Sequence, residues 1–153
     1  MTILAFIPVI LYLLAIVLGL LGVPMPLAAD TLSPLTAWML AVSLGLSSLW
    51  SAFGHLTASE MVAKSIGWAT SPFQLEIGWA NLGIGLGAIA AAVLGRDAAI
   101  AITIMACCFL WGAAKVHTDE MIREKNFSIN NAGPIYFWDI LTPLTLIVSL
   151  LLG

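Results

Sequence analysis

The sequence predicts an all-α integral membrane bundle of five transmembrane helices, one leading helix plus two tandem helix-connector-helix repeats, in a single domain spanning residues 1–153. Three observations lead there. Hydrophobic residues make up 61% of the chain and charged residues 8%, whereas a typical soluble domain carries about 25% charged residues. Polar side chains are therefore too few to coat a water-soluble globule. Five apolar stretches, near 3–22, 35–54, 72–94, 98–117 and 134–152, each approach the roughly 20 residues that cross a bilayer as a helix. Finally, a His is followed seventeen residues later by a Pro twice over, from His55 to Pro72 and from His117 to Pro134.

The leading stretch, 3–22, is read as a retained helix, because it lacks the basic flank of a secretory signal and its apolar run exceeds the usual signal core. Repeat one covers 35–94 and repeat two 98–152. In the first, Leu49-Trp50 leads to Gly54-His55, a polar connector, Ser71-Pro72 and Glu76. In the second, Leu110-Trp111 leads to His117, a connector, Gly133-Pro134 and Asp139. Within the first connector, Thr57-Ala58-Ser59-Glu60 has the form of a capping box and predicts a short interfacial helix. Thr118 to Asn131 is expected to behave in the same way. Pro72 and Pro134 suit the first position of a returning helix, where the missing N–H would be unpaired anyway.

Orientation follows from the cations. Lys64, Lys115, Arg123 and Lys125 share the connector side and only Arg96 lies opposite, so the positive-inside bias makes the connector side cytoplasmic. The expected location is the cytoplasmic (inner) membrane, with the N-terminus inside and the C-terminus outside. Trp50, Trp68, Trp111 and Trp138 near the same ends fit headgroup anchoring. Cys107 and Cys108, adjacent in the fourth span, are expected to be apolar filler, because a bridge between neighbours would be strained.

Helical periodicity places the polar residues. Ser51, Ser48, Ala41 and Ala37 share a face with His55, and Ala113, Leu110, Thr103 and Ala99 share one with His117, so both His are expected to face protein. Glu76 shares a face with Ala80, Gly83, Gly87 and Ala91, a small-residue ridge suited to close helix packing, which predicts an inward carboxylate. Asp139 lies on the side of Thr142, Pro143 and Ser149. The predicted site is thus a cytoplasm-facing cluster of His55, Glu76, His117 and Asp139, with Gln74 and Asn81 as further polar candidates.

Intramembrane ionisable groups are costly, so they pair or line a cavity. One reading is a structural clamp in which carboxylates near helix N-termini bond the His side chains. Another is a site that binds or conducts a small polar solute or proton, with imidazole and carboxyl groups as relays. No motif calls for a resident cofactor, although a divalent metal on His55, His117 and Glu120, or a haem with His55 and His117 as axial ligands, is chemically admissible. The rival from another class is a structural or accessory subunit packed against a larger membrane complex. Expected partners are the lipid bilayer, a second copy of the chain or other membrane subunits. Few basic residues and a net charge of −3 exclude nucleic acid. No nucleophile elbow, phosphate loop or zinc-protease signature names a reaction.

The string Ile66-Gly67-Trp68, Ser71-Pro72-Phe73-Gln74-x-Glu76 and Asn81-Leu82, with Gly54-His55 before it and His117, Asn126, Asn131-Ala132-Gly133-Pro134 and Asp139 after it, resembles a family of small bacterial multi-spanning membrane proteins catalogued as a domain of unknown function. The resemblance implies a multi-spanning envelope protein without an assigned substrate. One departure is Val116-His117, where the family pattern carries Gly-His, and it bears on how tightly the second His packs.

Overall fold

The computed structural model describes residues 2–153, and among them every regular element is helical. A short 3-10 turn, Thr2–Phe6, leads into α1 (Ile7–Leu20). Then come α2 (Pro34–Thr57), the short α3 (Ser59–Ile66), α4 (Phe73–Leu94), α5 (Arg96–Arg123) and α6 (Pro134–Leu152). Four of these, α2, α4, α5 and α6, are long and apolar enough to cross a membrane, and the apolar helix Leu4–Leu20 is shorter.

Most of α2 is buried, which makes it the central helix of the bundle. Its middle, Met39–Leu46, is wound as a π-helix, a feature that periodicity did not suggest. Such widened turns are rare inside α-helices. Here the widened turn meets α6: the Trp138 indole donates to the Ser43 carbonyl at 3.1 Å, and the Ser43 and Thr142 hydroxyls bond at 2.9 Å. Next to Thr142, Pro143 interrupts the hydrogen-bond ladder of α6. Both irregularities therefore face one another and are tied by side chains. On its other side α2 approaches α4 so closely that a Cβ at Gly85 would lie 3.0 Å from the Gly45 carbonyl oxygen. A side chain at Gly85 would push these helices apart.

The two ends of the bundle differ in chemistry. At one end Arg96 donates to the Leu150 carbonyl, where a cation suits the negative end of the α6 dipole, and its backbone N–H bonds Thr31 Oγ1. At the other end the two connectors bind each other: Asn126 Nδ2 donates to the Ile66 carbonyl at 2.9 Å and Asn130 Nδ2 to Ser65 Oγ at 2.8 Å.

The local expectations fare unevenly. Pro134 does begin its helix, whereas Pro72 sits one position earlier than expected, at the N-cap of α4. A short helix does follow His55, but it starts at Ser59 with Ala58 as its N-cap, and the Thr57 hydroxyl instead donates backward to the Phe53 carbonyl at 2.6 Å. The capping box is thus not formed, because Thr57 is still part of α2. The second connector forms no separate helix: α5 simply continues through Met121 and Ile122 to Arg123. Trp138 is not a surface anchor, being fully buried with its N–H on Ser43.

Candidate functional site

Where α2, α4, α5 and α6 approach the connectors, they enclose a cavity of about 510 Å³, with Ala5 and Pro8 from the N-terminal segment on one wall. Its lining is mainly apolar and aromatic. The polar exceptions include His55, Asn81, His117 and Asp139, and exposed Leu4, Phe53, Met61 and Phe73 form its rim. A larger, shallower depression along Thr57, Glu60 and Lys64 contains none of these groups.

His117 is held on three sides. Its Nδ1 lies 2.7 Å from Asn131 Oδ1, the Trp68 ring stacks on it with centroids 5.8 Å apart and an interplanar angle of 19°, and Nε2 faces Asp139 Oδ2 at 3.8 Å. Asn131 is completely buried, and its Nδ2 donates to the Asn126 and His117 carbonyls at 2.8 and 3.4 Å. Those two bonds assign the amide orientation, so Oδ1 is the acceptor and His117 Nδ1 carries the hydrogen. In the neutral imidazole Nε2 is then an acceptor pointing at Asp139. At 3.8 Å the two groups are too far apart for a direct hydrogen bond.

Asp139 is 3% exposed, and its Oδ2 has no hydrogen-bond partner. A buried carboxyl oxygen without a partner is costly and calls for an explanation. Position explains how it comes to be there: it lies one residue after Trp138, which anchors α6 to the π turn of α2, and on the buried side of Thr142, Pro143, Leu146 and Ser149.

His55 is less tightly held. It is half-buried against Gly78, with buried Gln74 as its polar neighbour, yet neither His55 Nδ1 nor Gln74 Oε1 makes a hydrogen bond. Asn81 is buried and donates to the Ile77 carbonyl at 3.0 Å. Four of the six candidates, His55, Asn81, His117 and Asp139, thus line one cavity, with Gln74 beside it.

Glu76 does not join them, and this corrects the expectation of an inward carboxylate. It is exposed on the outer face of α4, and Gly83 of the same ridge has nothing within 4 Å of a would-be Cβ. The buried residues of α4 are instead Gln74, Gly78, Asn81, Ile84, Gly85, Ala88, Ala91 and Ala92, so only the far end of the Glu76 ridge, Ala91, is buried. Glu76 is two residues from Gln74, about 200° around a helix with 3.6 residues per turn. Two small-residue ridges run along α4, and the contact of Gly85 with Gly45 selects the other one.

Glu120 accepts from Asn126 Nδ2 at 3.2 Å. Among the described residues no three His, Cys, Asp or Glu side chains are gathered as metal ligands would be. Cys107 and Cys108 are free thiols. Trp68, Asn131 and Trp138 are the site residues that sequence reasoning did not single out as such. The signal for Asn131 was its amide within a chain this apolar.

No match to a curated protein or to a solved structure was found. The match that was found covers residues 2–153, virtually the whole chain: the protein belongs to the family of unknown function DUF6790.

Proposed function

We propose that the protein is a five-span membrane protein that takes an amphipathic small molecule into the cavity, its apolar body among the aromatic side chains and its polar group against His117 and Asp139. The observation that carries this reading is Asp139 Oδ2, buried and without a partner on the wall of an otherwise apolar cavity. An apolar pocket with a few convergent polar groups is the usual form of a small-molecule site. The apolar lining favours an amphiphile over the small polar solute or proton expected from side-chain types alone. Its exposed apolar rim supports entry from the bilayer.

A fifth span is supported by α1. Ala5 and Pro8 line the cavity beside His55, and Gly19 lies against Leu35 at the far end of α2, so the helix runs alongside its neighbour for most of its length. Tyr12 fastens it through a 3.0 Å hydrogen bond to Thr145 of α6. The cations on the connector side favour a cytoplasmic connector face, an internal N-terminus and an external C-terminus. The paired His-connector-Pro units are consistent with an internal duplication about an axis along the membrane normal.

The test is extraction of small molecules from protein purified out of its native membrane, compared with Ala113→Trp, which places an indole in the cavity. An amphiphile that accompanies the wild type and is lost from the folded variant is expected. Equal amounts in both would remove the ligand-pocket reading.

A second reading, a subunit that associates with another membrane helix, is favoured by the outward face of α4, where Glu76 and Gly83 are exposed. Gly83→Cys in a Cys107→Ala, Cys108→Ala background should then cross-link within native membranes. Absence of any cross-linked species would argue against that face.

A further inference from the structure

Among the described residues, the His117–Asp139 pair presents hydrogen-bond acceptors to the cavity and no Lys or Arg lines it. Asp139 Oδ2 has no partner, His117 Nε2 is an acceptor in the tautomer that Asn131 imposes, and the Asn81 amide commits an N–H to the Ile77 carbonyl. Among the described residues, Asp139 is the only carboxylate on the lining. Elsewhere Lys115 is paired with Asp119 at 2.6 Å and Arg96 lies at the opposite end of the bundle. A buried carboxyl group keeps its charge only where a counter-charge or hydrogen-bond donors stand against it. The 3.8 Å between His117 Nε2 and Asp139 Oδ2 leaves both acceptors available to one donor group placed against them. The same cavity is lined by Trp50, Phe53, Trp68, Phe109 and Trp138, and aromatic faces attract cations.

We propose that the cavity selects hydrophobic amines in their ammonium form, the N–H groups donating to His117 Nε2 and Asp139 Oδ2 and the hydrocarbon lying among Trp50, Phe53 and Phe109. The proposal rests on the ligand-pocket reading above and adds the chemical class. An ammonium supplies what the pair lacks, since it is both the counter-charge for the carboxylate and a donor to two acceptors at once. An alcohol has a single donor and no charge. A carboxylate ligand would bring a third acceptor and meet Asp139 with the same sign.

The experiment compares 4-phenylbutylamine, 4-phenylbutanol and 4-phenylbutyrate, three probes with one hydrocarbon body, on the full chain in nanodiscs, subtracting partition into empty nanodiscs. Alkylamines, like the Lys side chain with its pKa of about 10.4, are charged at neutral pH. The amine is expected to bind roughly tenfold or more tightly than the alcohol, as charge-assisted bonds exceed neutral ones, and the carboxylate not measurably. Asp139→Asn should erase the difference between amine and alcohol, and Ala113→Trp should block all saturable binding. If the alcohol or the carboxylate binds the wild type as tightly as the amine and Ala113→Trp blocks it, the amine class is wrong and the pocket stands. If no probe binds saturably, or Ala113→Trp changes nothing, the pocket and the class fall together. The comparison on the wild type decides between amine and alcohol even if Asp139→Asn does not fold.

Discussion

The two His-connector-Pro units share a spacing of seventeen residues and differ in nearly everything else. In the first, α2 ends at Thr57, two residues after His55, and the chain restarts as the separate helix α3. In the second, α5 runs six residues beyond His117, to Arg123. His55 is half-buried and lacks a partner at Nδ1, whereas His117 is fixed by Asn131, Trp68 and the opposing Asp139. The carboxylates diverge too, since Glu76 faces outward and Asp139 inward. Similar spacing thus delivers one imidazole held on three sides and one without a hydrogen bond at Nδ1. What separates them is a buried amide within the second connector and the Trp that the first connector lends to it.

The sharpest way to break this contrast is Asn131→Leu. It strips the acceptor from His117 Nδ1 and the donor from the His117 and Asn126 carbonyls, and should cost about 3 kcal/mol. The expected outcome is a large fall in the melting temperature of detergent-purified protein, together with loss of the Trp68–His117 stack as a change in tryptophan fluorescence. A fall no larger than that of a surface substitution would show that His117 is not held in this way.

Gly67→Ala tests the clasp between connectors. Gly67 adopts φ of +90°, and a Cβ there would lie 2.6 Å from Asn126 Oδ1, so a loss of about 2 kcal/mol is expected from strain and displacement. Amide hydrogen exchange should quicken across both connectors and leave the α2–α4 contact protected. If exchange quickened in the first connector alone, the two would not act as one unit.

Trp138→Phe keeps the packing and removes the bond to the Ser43 carbonyl, with an expected cost of about 1 kcal/mol. It should loosen the π turn of α2, read as faster exchange around Met39–Leu46. The smallest effect belongs to the first unit: Gln74→Met removes a buried amide whose Oε1 is already unpaired, and should change stability by less than about 1 kcal/mol. A loss as large as that of Asn131→Leu would mean that His55 is as firmly held as His117.

Much of this was legible in the chain. The long apolar helices, the short helix after His55, the Pro134 start and the burial of the faces behind both His follow from composition, run length and periodicity, which act within one segment. The interior position of Asp139 was legible for the same reason, because Thr142, Pro143 and Ser149 mark its side of the helix. Glu76 was misplaced because α4 carries small residues on two faces, and a single segment does not say which of them meets a neighbour. The Thr57 cap failed similarly, since the motif was intact but the preceding helix retained its first residue.

By itself the sequence determined the long apolar helices, because 61% hydrophobic residues in helix-length runs leave few other ways to satisfy the backbone in an apolar medium. It also supplied the inventory of polar groups. Tertiary structure alone decided the rotation of α4, the π turn that receives Trp138 and the folding of one connector over the other. Each depends on contacts between residues distant in sequence, where the close approach of two backbones or one buried amide outweighs local preference. That is why His117 and Asp139 came together at 3.8 Å while Glu76, of the same chemical type and one residue earlier in its unit, was turned away.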